Sequence, residues 1–267
     1  MIIIELAAKR GLTNFDLKLI GITLMVVDHI HEMFAGAGAP NWMDWFGRPV
    51  ATIFFFLSVE GFTHTHNQKR YLFRLLIGFW TMQIGNQIVQ HFFSVGDLGL
   101  MNNIFSDIFI GVLTMYGFQL IGTGRTTHQP RQIMIGILII ITPIILSGLM
   151  IAFSSAHWLS MGIYVLFPTV LTAENNVFLY IGPLMYLLRK HRNWQLIAIA
   201  VFALLATGFS ANNLLTTNTE WMRVFAIIPI YFYNGELGKS MKGFFYAFYP
   251  LHIWFLYILA SLLGVRS

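Results

Sequence analysis

The chain has 267 residues, of which 57% are hydrophobic and only 10% charged, with a net charge of +5 and a mean hydropathy of +0.68. A water-soluble domain carries about a quarter charged residues, so this composition excludes a water-facing surface over most of the molecule. Cysteine is absent, which excludes disulfides, thiolate catalysis and cysteine-ligated metal.

The apolar runs predict about nine or ten membrane segments, since ~20 apolar residues cross a bilayer as a helix. In chain order they fall near 16–36, 49–65, 71–93, 103–122, 132–153, one or two between 157 and 188, then 194–210, 220–234 and 243–264. Lipid-embedded backbone must satisfy its own hydrogen bonds, and runs such as "IMIGILIIITPIIL" do not alternate as barrel strands do. The expected fold is therefore an all-α polytopic membrane protein, a bundle forming a single domain over 1–267. The opening residues lack the pattern of a cleavable signal peptide.

Basic residues alternate between loops. Lys9, Arg10 and Lys18 precede the first segment; Lys69, Arg70 and Arg74 follow the second; Arg125 and Arg131 flank the fourth loop. Arg189, Lys190 and Arg192 form a further cluster, and Lys239 and Lys242 precede the last segment. The intervening loops "FFSVGDLGLMNN" and "SANNLLTTNTE" carry none, so the positive-inside rule puts the N-terminus in the cytoplasm. An odd number of crossings must then lie between Ser155 and Arg189. The two short candidates there cannot both cross, and one is expected to be re-entrant, interfacial or half of a broken helix. Nine full spans and an external C-terminus follow. No basic run suggests nucleic acid.

The first segment holds "LMVVDHIHEMF". A charge at mid-bilayer costs ~2.5–3.5 kcal/mol, and such groups usually face the bundle interior. At ~1.5 Å per residue, His29 lies on the order of 20 Å along the axis from Asp16, too deep to snorkel. Asp28 and Glu32, four apart, share a face, whereas Asp28 and His29 point about 100° apart. His31 and Glu32 reach the outer interface, so Asp28 and His29 are the candidates for chemistry. Arg48 and Glu60 bracket the second segment; the alternatives are an interfacial anchor for Arg48 and a salt bridge to Arg70 or Arg74 for Glu60. His252 lies about ten residues into the last segment, beside Pro250, Tyr246 and Tyr249, and is expected to share a polar cavity with His29. Gln83, Asn86, Gln87, Asn102, Asn103 and Asp107 either line that cavity or hold helices together. His64 and His66 in "THTHNQ" lack a nearby third ligand, so no metal site is expected.

The stretches "LKLIGITLMVVDHI", "GRPVATIFFFLSVEGFTHTHNQKRYLFRLLI", "NNIFSDIFIGVL" and "YNGELGKSMKGFFYAFYPLHI" together resemble the TraX family, the pilin-acetylation proteins of conjugative plasmids and their bacterial relatives. They cover about 17–113 and 233–258 in the family's order. At Pro49 the chain departs from the family, which commonly has Ala or Leu directly after the Gly-Arg. The resemblance implies a multi-pass protein of the bacterial inner membrane that transfers acetyl groups from acetyl-CoA to a protein or peptide amino terminus. TraX is also similar to the transmembrane acyltransferases, in which a membrane-buried histidine is the base. It nominates His29 with Asp28, and His252 second; Glu60 and Tyr249 complete the catalytic candidates. Arg48, Lys69, Arg70, Arg74 and Asn103 are the candidates for holding acetyl-CoA, with Arg189, Lys190, Arg192 and Lys242 as further cations for its phosphates. A hydroxyl acceptor, a transporter and a non-catalytic assembly protein are the alternatives.

Overall fold

The computed structural model describes residues 11–175 and 178–265, with the side chain of Lys242 excepted; Lys9 and Arg10 lie outside the described residues. Among the described residues it is all-helical, with no strands. Six helices run for 21 to 25 residues: α1 (Asn14–Phe34), α2 (Asp44–His64), α3 (Gln68–Phe92), α4 (Ile104–Thr126), α5 (Pro130–Ala152) and α10 (Lys242–Leu262). At ~1.5 Å rise per residue each matches the ~30 Å hydrocarbon core. Among the described residues α1, α4, α5 and α10 are both long and apolar enough to span. The other two are as long but more polar: α2 carries Asp44, Arg48 and Glu60, and α3 carries Lys69, Arg70, Arg74 and several amides.

Between α5 and α10 the helices are short: α6 (His157–Leu166), α7 (Ile181–Leu187), α8 (Arg192–Ala206) and α9 (Ile227–Tyr231). The expected crossing at 220–234 is instead a 3-10 helix, Thr219–Ala226, running into α9. The segment 157–188 is a broken helix. Phe167, at φ −132° and ψ 130°, is extended because Pro168 follows it, and a residue before proline avoids the helical region.

The chain divides into two compact units. The first comprises the described residues up to Leu57, Asn86–Met101 and those from Leu188 onward; the second comprises Ser58–Gly85 and Asn102–Leu187. In the first unit α1 opens with a capping box. Thr13 accepts from the Asp16 N–H, and the Asp16 carboxylate accepts from the Thr13 N–H at 2.8 Å and its hydroxyl at 2.7 Å. The backbone at Leu12 and Asn14 is tied to Phe232, Asn234 and Glu236. α1 and α10 run in the same direction: Phe15 meets Phe245 near their starts, and His29 meets His252 further on.

In the second unit α4 and α5 form a close antiparallel pair. A Cβ on Gly117 would lie 2.8 Å from the Gly136 carbonyl oxygen, and one on Gly136 would lie 2.7 Å from that of Gly117. Only glycine at both positions allows this approach, the usual means of bringing helices together in lipid. The broken segment after α6 has its backbone satisfied by side chains. Asp107, with 0% of its surface exposed, accepts from the N–H groups of Glu174 and Asn175 at 3.0 Å each and from the Asn175 amide at 2.8 Å. Irregular backbone within a membrane protein requires such partners.

Candidate functional site

Three site candidates of the first unit, His29, Tyr249 and His252, meet where α1 packs against α10. Burial on α1 follows Leu17, Gly21, Ile22, Met25, His29 and Met33, a 3.6-residue stripe that puts His29 on the packed face. On α10, His252 is set by its own helix. Its Nδ1 lies 2.8 Å from the carbonyl oxygen of Phe248, one turn back, and the Phe248 ring stacks on it at 4.9 Å. Pro250 lacks an N–H, so the carbonyl it leaves without its helical donor is that of Tyr246, four residues earlier, rather than the Phe248 carbonyl that His252 uses.

The two histidines are bonded directly. His29 Nδ1 and His252 Nε2 are 2.8 Å apart, the rings lie nearly parallel, and the residues are 6% and 9% exposed. The chemistry of the partners assigns the protons. A carbonyl oxygen only accepts, so His252 Nδ1 carries a hydrogen. In a neutral ring the other nitrogen, Nε2, is then a lone pair, and His29 Nδ1 must donate to it. That leaves the lone pair of His29 on Nε2. Tyr249 presents its ring to both, with centroids 6.4 Å from His29 and 5.8 Å from His252.

The neighbour of His29 Nε2 is Glu32, not Asp28. Glu32 Oε2 lies 3.9 Å away, three residues on along the helix. The Asp28 carboxylate instead lies against the backbone of Gly47 on α2, so closely that a Cβ there would overlap it. The charges acting on Asp28 are those of Arg48, Asp44, Glu32 and Arg223. Asp28, nominated with His29 from the sequence, is adjacent to it along the chain, but the 100° step of the helix turns the two side chains apart.

Arg48 is embedded in carboxylates. It pairs with Asp44 one turn earlier on α2 and donates to Glu220 at 2.7 Å, while Arg223 also donates to Glu220. An anionic ligand at Arg48 would compete with two carboxylates. Arg192 lies with its guanidinium over the ring of Phe56, 4.4 Å from the centroid, and over that of Tyr233 at 5.4 Å.

Arg189 and Lys190 belong to the first unit, and Glu60, Lys69, Arg70, Arg74 and Asn103 to the second. Glu60 lies 3.9 Å from His64, which also bonds the Glu60 carbonyl. Lys69, Arg70 and Arg74 are exposed at the start of α3, where Asn67 accepts from the Arg70 N–H at 2.8 Å. Asn103 is buried; its amide donates to the Phe79 carbonyl at 3.2 Å, its backbone N–H donates to Glu174, and its side-chain oxygen has no hydrogen-bond partner among the described residues. Among the described residues no cluster of three or more His, Cys, Asp or Glu suits a metal ion.

Sequence reasoning assigned Glu32 to the interface and did not single out Glu220, Arg223 or the bonds that Asp107 accepts from the backbone of Glu174 and Asn175. Glu32 was visible as a residue three positions from His29, on the same face of one helix. Glu220 and Arg223 were visible as opposite charges with that same spacing inside an apolar stretch.

The fold and these residues define an integral membrane protein of helices whose first and last long helices are joined by a buried pair of histidines. The family model of the TraX protein matches residues 15–260, nearly the whole chain, and the chain belongs to the TraX family. No curated protein and no solved structure matches it.

Proposed function

We propose that this chain is a membrane acyltransferase of the bacterial inner membrane that moves an acetyl group from acetyl-CoA to an amine. The amine is the amino terminus of a protein or peptide, as the family suggests. The observation that carries this reading is the hydrogen-bonded chain Phe248 carbonyl, His252, His29, which holds an unprotonated imidazole nitrogen inside an apolar bundle. A buried neutral imidazole with its other nitrogen committed is the arrangement a general base requires.

In this mechanism His29 Nε2 removes the proton from the acceptor nitrogen as that nitrogen attacks the thioester carbonyl. The carbon–sulfur bond breaks, and the leaving thiolate takes a proton to become the free thiol. His252 does not touch the substrate; it positions His29 and holds its tautomer. Glu32 faces the Nε2–H of the imidazolium that forms. Tyr249 adjoins the pair and is a candidate donor to the oxyanion. Lys69, Arg70 and Arg74 present exposed cations suited to the phosphates of acetyl-CoA.

The test is incubation of the purified protein in lipid nanodiscs with labelled acetyl-CoA and a pilin-like peptide. Label in the peptide amino terminus is the expected result. Absence of label from peptide, lipid and glycan alike would sink the enzymatic reading.

A further inference from the structure

Acetylation of an amine that arrives as an ammonium ion has a proton balance that one histidine does not close. The ammonium must lose one proton to become a nucleophile, and the nitrogen loses a second from the tetrahedral adduct. The departing thiolate takes up one. One proton per turnover therefore has to leave for water. With Nδ1 bonded to His252, His29 handles protons only at Nε2, one at a time. A hydroxyl, or an amine that is already neutral, releases no net proton.

Among the described residues the ionisable group in place to take that extra proton is Glu32. Its Oε2 is 3.9 Å from His29 Nε2, within reach of a small side-chain adjustment or one bridging water, and its side chain is 32% exposed against 8% for His29. It lies in the last turn of α1, two residues before that helix ends at Phe34. The other ionisable groups around His29 are placed differently. His252 on α10 is the donor-locked partner, and Tyr249 on α10 presents its ring. Asp28 lies on Gly47, His31 on α1 meets Asn41, and Arg48 on α2 is held by Asp44 and Glu220.

We propose that Glu32 is the proton-release residue of this site, and that the site is therefore built for an acceptor that arrives as an ammonium ion. This rests on the acyl-transfer reading above. In the first step the ammonium N–H bond breaks, its proton passes to His29 Nε2, and from there to the Glu32 carboxylate and on to water. His29 is thereby returned to its neutral form. In the second step the neutral amine attacks the thioester, and His29 carries the remaining proton from nitrogen to the thiolate. Glu32 acts through His29 and is a positioning and relay residue rather than one that touches the substrate.

The test compares an alkyl amine, charged near neutral pH, with an aromatic amine that is neutral there, in the wild type and in Glu32→Gln and Glu32→Asp. With the alkyl amine, Glu32→Gln is expected to lower kcat about tenfold at pH 7 and to recover at alkaline pH, where water itself deprotonates the acceptor. With the aromatic amine its rate should match the wild type, and Glu32→Asp should restore much of the alkyl amine rate. Equal loss with both amines, or loss with neither, overturns the proposal while leaving the acyl-transfer reading intact. A wild type inactive with both overturns that reading instead. A second measurement needs no turnover: in 15N-histidine spectra at one fixed pH, Glu32→Gln should change the His29 Nε2 signal, because Glu32 Oε2 lies 3.9 Å from that nitrogen, and Glu32→Asp should restore much of it. An unchanged His29 signal in Glu32→Gln overturns the coupling.

Discussion

The histidine pair of the first unit and the Asp107 cluster of the second are both buried polar constructions in an apolar chain, yet their hydrogen-bond inventories differ. Asp107 accepts from two backbone N–H groups and one amide, and so completes a broken helix segment. The His29–His252 pair uses three of its four ring nitrogens and leaves one lone pair over. A saturated cluster gives its free energy to the fold; an unsaturated one retains capacity for chemistry, at a cost that packing elsewhere offsets. On the proposed acyl-transfer reading, this difference separates a residue that serves the fold from one that serves the chemistry, although both are buried and ionisable.

The comparison breaks first at His29. His29→Ala should reduce acetyl transfer by about a hundredfold or more while leaving the detergent-solubilised protein monodisperse. Retained activity in a labelled acetyl-CoA assay would remove His29 as the base. Asp107→Ala should behave in the opposite way, costing on the order of 3 kcal/mol by leaving buried donors without an acceptor. A thermal-shift measurement in nanodiscs checks this; an unchanged melting temperature with lost activity would move Asp107 from the fold to the chemistry.

His252→Ala should be milder than His29→Ala. It removes the group that fixes the tautomer but not the base, and kcat should fall about tenfold with KM little changed. If it equals His29→Ala, the two rings act as one unit. The smallest effect is expected at the exposed cations. Charge reversal at Arg70 and Arg74 should raise KM for acetyl-CoA about threefold, and less so at high salt, because exposed charges are screened. A KM unchanged at all salt concentrations would place the nucleotide elsewhere.

Much of the helical plan was legible because a membrane span is a one-dimensional property. The first, fourth and fifth segments, and the last, were placed within a few residues of α1, α4, α5 and α10 from hydropathy alone. The same criterion overestimated 220–234. Glu220 and Arg223 there serve the ion network with Arg48, and the backbone tightens into a 3-10 helix. Depth singled out both His29 and His252, and the helical step showed that Asp28 faces away from His29. That the two histidines share one polar site was expected; their direct bond, across 223 residues of sequence, was not legible, nor was the approach of Glu32 to His29, since its place near the helix end accounted for its charge.

Composition and apolar run length thus determined that this chain is a helical membrane protein, because the bilayer penalises charge and unpaired backbone whatever the tertiary arrangement. The motif order determined its family. Tertiary structure alone decided that His252 donates to Phe248 and receives from His29, that Asp28 rests on Gly47, and that Arg48 is enclosed by carboxylates. Hydrogen-bond partners are set by ångström-scale approach between helices distant in sequence, and no periodicity along one helix encodes the phase of another.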